Sequence, residues 1–181
     1  MGVGSTDAQG ECQVTKLFVS AALLMLFVSA ALAQEKIYDM PNEFSFKYSD
    51  GWNKGARKGG TSGELDWLVS TTDPSATFHP VLAHADFSYD DWLRRTVKQA
   101  TPERSLASKS EFETAGGEKG YKLVWDIKGA DGQQFTSYNY LFHGRNNTQL
   151  QLSGLVDAAN GQKFEPLYDG FAKSLVISKG K

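Results

Sequence analysis

Cysteine is nearly absent. Cys12 is the single one among 181 residues, so no intramolecular disulfide and no Cys-rich zinc site can form. Net charge is also scarce: 19 Lys+Arg against 21 Asp+Glu leave −2. Without a basic excess nothing neutralises a phosphate backbone, so no nucleic-acid partner is expected. Five prolines and no G-x-y period exclude Pro-rich and collagen-like architectures. What is present excludes disorder: 40% of residues are hydrophobic and 12% aromatic, enough to build a core.

Residues 17–33 (LFVSAALLMLFVSAALA) carry no charge, follow Lys16 and end in Ala31-Leu32-Ala33. A basic residue, an apolar stretch and a small-x-small cleavage site make a secretory signal, with Gln34 as the expected new N-terminus. A spanning helix needs about 20 apolar residues, so the stretch is short for an anchor. Residues 1–13 carry Asp7 and Glu11 where a basic region belongs. A start at Val14 would restore a compact one, and we expect translation to begin there. Cys12 lies upstream of the apolar run, so a lipid anchor after cleavage is not expected. The expected product is 34–181, cysteine-free, near-neutral, exported to a bacterial periplasm or secreted, and without stable membrane insertion.

Within 34–181 a single domain is expected, because no linker-like shift in composition occurs. Phe44, Phe46 and Tyr48 alternate with polar residues and predict a strand closed by Asp50-Gly51. Strands are predicted at 65–71 and 81–87, and the Gly-rich stretch 51–63 reads as a mobile loop. Residues 88–100 switch to helical spacing, with Ser88 as N-cap, Asp91 three residues on, and Thr101-Pro102 as the stop. Antiparallel strands follow at 109–114, 121–128, 133–143 and 148–156, divided by turns at 115–118, Asp131-Gly132 and Asn146-Asn147. A second helix is predicted over 162–174 with Phe164, Leu167, Tyr168 and Phe171 on one stripe and Pro166 in its first turn. A short strand closes the chain at 175–178. The predicted class is α+β: an antiparallel β-sheet meander with two main helices packed on it.

Chemistry is hard to find. His84 and Asp86 would share a strand face, and His143 could join them from another strand, the best metal candidate on offer. No G-x-S-x-G elbow accompanies any Ser-His-Asp combination. Gly59-Gly60-Thr61-Ser62-Gly63 lacks the G-K-[ST] of a phosphate loop. Asp90-Asp91 suits a helix N-terminus better than acid–base catalysis. Trp92 and Trp125 fit core stripes, whereas Trp52 and Trp67 flank the Gly-rich stretch, where exposed rings would make a recognition surface. Asn146-Asn147-Thr148 matches a glycosylation sequon, relevant only to a eukaryotic secretory route.

The order of elements resembles the PsbP-like fold group, which includes the photosystem II extrinsic subunit PsbP and bacterial DcrB-type proteins. The resemblance rests on F-S-F-K-Y-S-D-G-W at 44–52, G-Y-K-L-V-W-D-I at 120–127 and the closing pattern from Phe164 to Ile177. It spans nearly all of 34–181. Ser49-Asp50 stands where relatives often carry Pro before Gly-Trp, a small departure. These are packing motifs, and group members are mostly binding or assembly proteins without a shared catalytic set. The resemblance therefore implies a monomeric exported protein that binds a protein or small-molecule partner, with no catalytic, cofactor or metal residues assigned. The alternative is a small exported enzyme or metal-dependent factor using His84, Asp86 and His143.

Overall fold

The computed structural model describes Met1 and residues 35–55, 65–84 and 86–178. The expected signal, the Val14 start, Cys12 and the stretch Gly59–Gly63 lie outside the described residues. Contacts divide the chain into residues 1–33 and 34–181, and all the described strands and helices belong to the second unit. Among the described residues no helix is long and apolar enough to cross a membrane.

Among those residues, ten strands and two helices run in the order β1 (Glu35–Met40), β2 (Phe44–Ser49), β3 (Trp52–Gly55), β4 (Trp67–Ser70), β5 (Thr77–His84), α1 (Tyr89–Val97), β6 (Arg104–Glu113), β7 (Lys119–Lys128), β8 (Gln134–His143), β9 (Thr148–Asp157), α2 (Gly161–Lys173) and β10 (Val176–Ile177). They form two antiparallel sheets: a small one ordered β1-β2-β10 and a large one ordered β3-β4-β5-β9-β8-β7-β6. The class is α+β, as expected.

The period-two pattern is what sorts the side chains. Tyr138, Tyr140 and Phe142 of β8 face the main core, where they meet Leu150 and Leu152 of β9, Phe78 of β5 and Phe44 and Phe46 of β2. On the opposite face of the large sheet, Leu123 and Trp125 of β7 and Leu141 of β8 form a smaller core with Leu93 of α1. Thus α1 covers one face of the large sheet, while α2 and the small sheet cover the other. Each fully buried aromatic contributes about 1.5–3 kcal/mol relative to exposure.

Local chemistry starts α1, and tertiary packing seats α2. Ser88 caps α1, its Oγ accepting from the Asp91 N–H at 3.2 Å, worth about 1 kcal/mol. Asp90 and Asp91 occupy the positive end of the helix dipole and Arg94 and Arg95 the negative end. Asp91 turns its carboxylate to Arg94, so the capping box is only half made. In α2, Tyr168 lies flat on β9 because Gly154 has no side chain: a Cβ there would sit 2.8 Å from the Tyr168 ring. The Tyr168 hydroxyl donates to Leu155 O at 2.8 Å.

Several expectations need correction. Strand β1 has no counterpart among the predicted elements; it pairs along the whole of β2 and buries Tyr38. Trp52–Gly55, expected in a mobile loop, is a strand that pairs with β4. Strand β5 begins at Thr77, four residues before the expected 81, with Pro80 inside it. Proline is tolerated there because the β4–β5 ladder stops at Phe78. The Pro80 carbonyl faces that vacated side, accepting from Leu65 N, and its nitrogen faces the same way, where no ladder bond is lost. Helix α1 stops at Val97, before Thr101-Pro102, and Thr101 pairs back onto Arg104. Strand β6 begins at Arg104, ahead of 109, with a bulge between Leu106 and Ser108. Pro166 is the sixth residue of α2, one turn deeper than its expected place, and Leu167 is 39% exposed, outside the buried stripe.

Candidate functional site

The residues singled out for metal binding do not converge. His84 pairs with Thr148 and His143 with Gln149, both on β9. Adjacent residues of one strand point to opposite faces, so the two imidazoles lie on opposite sides of the sheet. Asp86 lies beyond the end of β5. His143 instead stacks on Tyr89, centroids 6.1 Å apart, and its Nδ1 is 2.9 Å from Gly144 O. Among the described residues no group of three or more His, Cys, Asp or Glu could hold a metal ion. Trp52 is 2% exposed and packs edge-on against Phe171, centroids 5.3 Å apart. Trp67 is half-buried and stacks on His79 at 4.2 Å. Neither ring stands open as a recognition surface.

A cleft of about 460 Å³ opens where the start of α1 meets the far ends of β6 and β7. Register builds it. Glu111 pairs with Tyr121 and Glu113 with Lys119, so all four point to the α1 side of the sheet. Asp90, in the first turn of α1, faces them across the cleft. The lining thus carries the carboxylates of Asp90, Glu111 and Glu113, the ammonium of Lys119 and the rings of Tyr89 and Tyr121, while the Phe112 ring turns to the other face of the sheet and packs on Tyr140 and Phe142. Gly120 completes the wall where β7 passes close to β8: a Cβ would lie 2.2 Å from Leu141 O.

Tyr89 anchors the cleft. Its hydroxyl donates to Leu141 O at 2.7 Å, and its ring stacks near that of Tyr121, centroids 6.5 Å apart. Burial first, then the neighbouring Tyr121 and Asp90, push its phenol well above the ordinary range. A phenol held protonated and committed to a backbone carbonyl positions the helix and offers no proton to a substrate.

A second hollow of about 410 Å³ shares Asp90 and Tyr121 with the first and runs along α1 past Arg94, Lys98 and Lys109. Lys109 Nζ sits 4.6 Å from the centre of the Tyr121 ring. One face of the Tyr121 ring is thus taken by the chain's own Lys109 ammonium.

Sequence reasoning missed this cleft. The alternation Lys109, Glu111, Glu113 was a visible signal of one charged strand face. Nothing in the chain order ties Asp90 or Tyr89 to it.

One further polar cluster lies on the other face of the sheet. Lys122 Nζ is 2.6 Å from both Glu165 Oε1 and Asp169 Oδ1 of α2, and Tyr140 donates to Asp169 at 2.6 Å. Its polar groups are mutually satisfied, and it pins α2 to the sheet.

No protein-family model matches the sequence, and no curated protein shows significant similarity. Solved structures do match. The solution structure of cyanobacterial PsbP (CyanoP) from Synechocystis aligns with a TM-score of 0.58 at 14% identity, covering 82% of this chain and 95% of that one. LpqN of Mycobacterium tuberculosis, described as involved in cell envelope biogenesis, aligns with a TM-score of 0.59 at 15% identity, over 81% and 91% of the two chains. A Bacteroides thetaiotaomicron protein aligns with a TM-score of 0.55 at 19% identity, over 81% of this chain and 49% of its own. The two sheets, the helix on each side and these alignments together give the chain a PsbP-like α+β fold.

Proposed function

We propose that this chain is an exported accessory protein that binds a partner in the cleft between the start of α1 and the ends of β6 and β7. The observation that carries the reading is the cleft itself: a cavity of about 460 Å³ lined by the rings of Tyr89 and Tyr121 and three carboxylates. Sites that recognise small groups are concave, aromatic in part and furnished with a few polar groups. Export rests on the apolar run 17–33 and its Ala-Leu-Ala end. The involvement of LpqN in cell envelope biogenesis is compatible with that address. Partner binding ahead of catalysis rests on the committed Tyr89 hydroxyl and on the separation of His84 from His143 by the sheet.

Two measurements test the reading. N-terminal sequencing of the exported protein is expected to begin at Gln34; an intact leader on the exported form overturns the processing assignment. Backbone-amide NMR with a mixed set of neutral, cationic and anionic small probes is expected to shift residues 89–90, 111–113 and 119–121. Shifts clustered on α2 or on the small sheet, with none in the cleft, would sink the site assignment.

A further inference from the structure

We infer that the cleft is selective for an organic cation, an alkylammonium or guanidinium head, so that its ligand is an amine or a partner's lysine or arginine side chain. The inference rests on the cleft being the binding site and names the chemistry it selects. Asp90, Glu111 and Glu113 have no ion-pair partner among the described residues, whereas Lys36, Lys47, Lys54 and Lys122 each hold a carboxylate elsewhere on the domain. Three unpaired carboxylates against Lys119 leave the lining net negative.

Two observations decide what kind of cation fits. The carboxylates do not gather into a group able to ligate a metal ion, and a volume of about 460 Å³ is far larger than one small ion needs. A cation with a hydrocarbon body meets both conditions, since its stem can lie on rings while its head reaches the carboxylates. The aromatic lining supplies the rest. One face of the Tyr121 ring already carries the Lys109 ammonium at 4.6 Å, and the ring of Tyr89 stands beside it in the wall. Negative charge around electron-rich rings selects organic cations over neutral or anionic groups of the same shape.

The test uses the 34–181 protein and four probes read by calorimetry and amide NMR: n-butylammonium, n-butylguanidinium, a short uncharged peptide carrying one lysine, and the same peptide with norleucine. Saturable binding of the free cations assigns a small-amine ligand. Saturation by the lysine peptide alone assigns a partner's side chain. Either outcome supports the inference. The paired variant Glu111→Gln with Glu113→Gln is expected to weaken binding about tenfold, and Tyr121→Leu about twofold to fivefold. The paired variant alters exposed strand residues and is expected to keep the wild-type melting temperature, whereas Tyr121→Leu, whose ring packs beside the small core, is expected to lower it slightly. Glu43→Gln, outside the cleft, is the control. Equal binding of the norleucine peptide, undiminished binding by the paired variant, or no saturation by any cation overturns the inference. If neutral probes still shift the cleft amides in that case, the cleft survives as the site and only its charge selectivity fails.

Discussion

Lys122 of β7 and Asp169 of α2 meet at 2.6 Å across the face of the large sheet, and the same Asp169 oxygen accepts the Tyr140 hydroxyl at 2.6 Å. Lys122 is 8% exposed. An ammonium so deep in an aromatic wall persists only because two carboxylates and the nearby Tyr138 and Tyr140 rings neutralise and solvate it.

Removing that ammonium strands two acidic groups against the sheet. Lys122→Ala is expected to lower stability by roughly 2 kcal/mol, below the usual cost of breaking a fully buried pair. The discount reflects the Glu165 and Asp169 side chains, which are 40% and 32% exposed and so partly screened. Lys122→Met, which keeps the apolar stem, is expected to lose less. Urea unfolding monitored by circular dichroism reads both, and an unchanged midpoint for Lys122→Ala would refute the pinning role.

The contact of Tyr168 with Gly154 makes a sharper steric prediction. A Cβ at position 154 meets three atoms of the Tyr168 ring at 2.8–2.9 Å, and that ring is fully buried. Gly154→Ala is expected to destabilise the fold by about 1–3 kcal/mol through overpacking. Combining it with Tyr168→Leu is expected to cost less than the sum of the single changes, because both act on one contact. Additive losses would show that the clash is relieved elsewhere.

The buried phenols predict how stability responds to alkali. Burial, with Asp66 adding to it, pushes Tyr38 up to about 12. Burial, with Glu165, Asp169 and Asp126 adding to it, does the same for Tyr138. Tyr89, Tyr140 and Tyr168 are raised further still. The unfolded chain releases these protons near pH 10, so the folded state holds them more tightly. Their contribution is complete below pH 10 and is lost as the pH climbs toward 12. Thermal melts over that range are expected to fall steeply, with the phenolate absorbance of these residues appearing only as the fold opens. Smooth titration of all seven tyrosines near pH 10 in the folded state would contradict the packing.

The separation of the imidazoles predicts an absence that can be measured. Elemental analysis of purified protein is expected to show no bound metal that depends on His84. His84→Ala is expected to leave metal content and melting temperature unchanged, since His84 is exposed at the end of β5. Stoichiometric metal lost in that variant would restore the metal-dependent alternative.

The elements that were legible in advance are those whose signal is local. Tyr121, Leu123, Trp125 and Ile127 alternate strictly, and they line the α1 side of β7. Ser88 with two following aspartates announces a helix start, and it caps α1. The motifs at 44–52, 120–127 and 164–177 pointed to the fold group that the solved structures support. Where reading failed, a neighbour decided. Glu35–Met40 carries little strand pattern of its own and becomes a strand by pairing with β2. Pro80 lies inside β5, ahead of the expected start at 81, and is tolerated because β4 is too short to need its missing N–H.

Alternation and helical spacing by themselves determined the class, because each depends on the geometry of the chain over a few consecutive residues. Only tertiary structure decided which charges meet. Tyr89 and Asp90 come to line one cleft with Glu111 and Glu113 through the seating of α1 on the sheet, and Lys122 reaches Glu165 and Asp169 through the seating of α2. It also parted His84 from His143, since strand register, a property of two strands together, sets the face each side chain occupies.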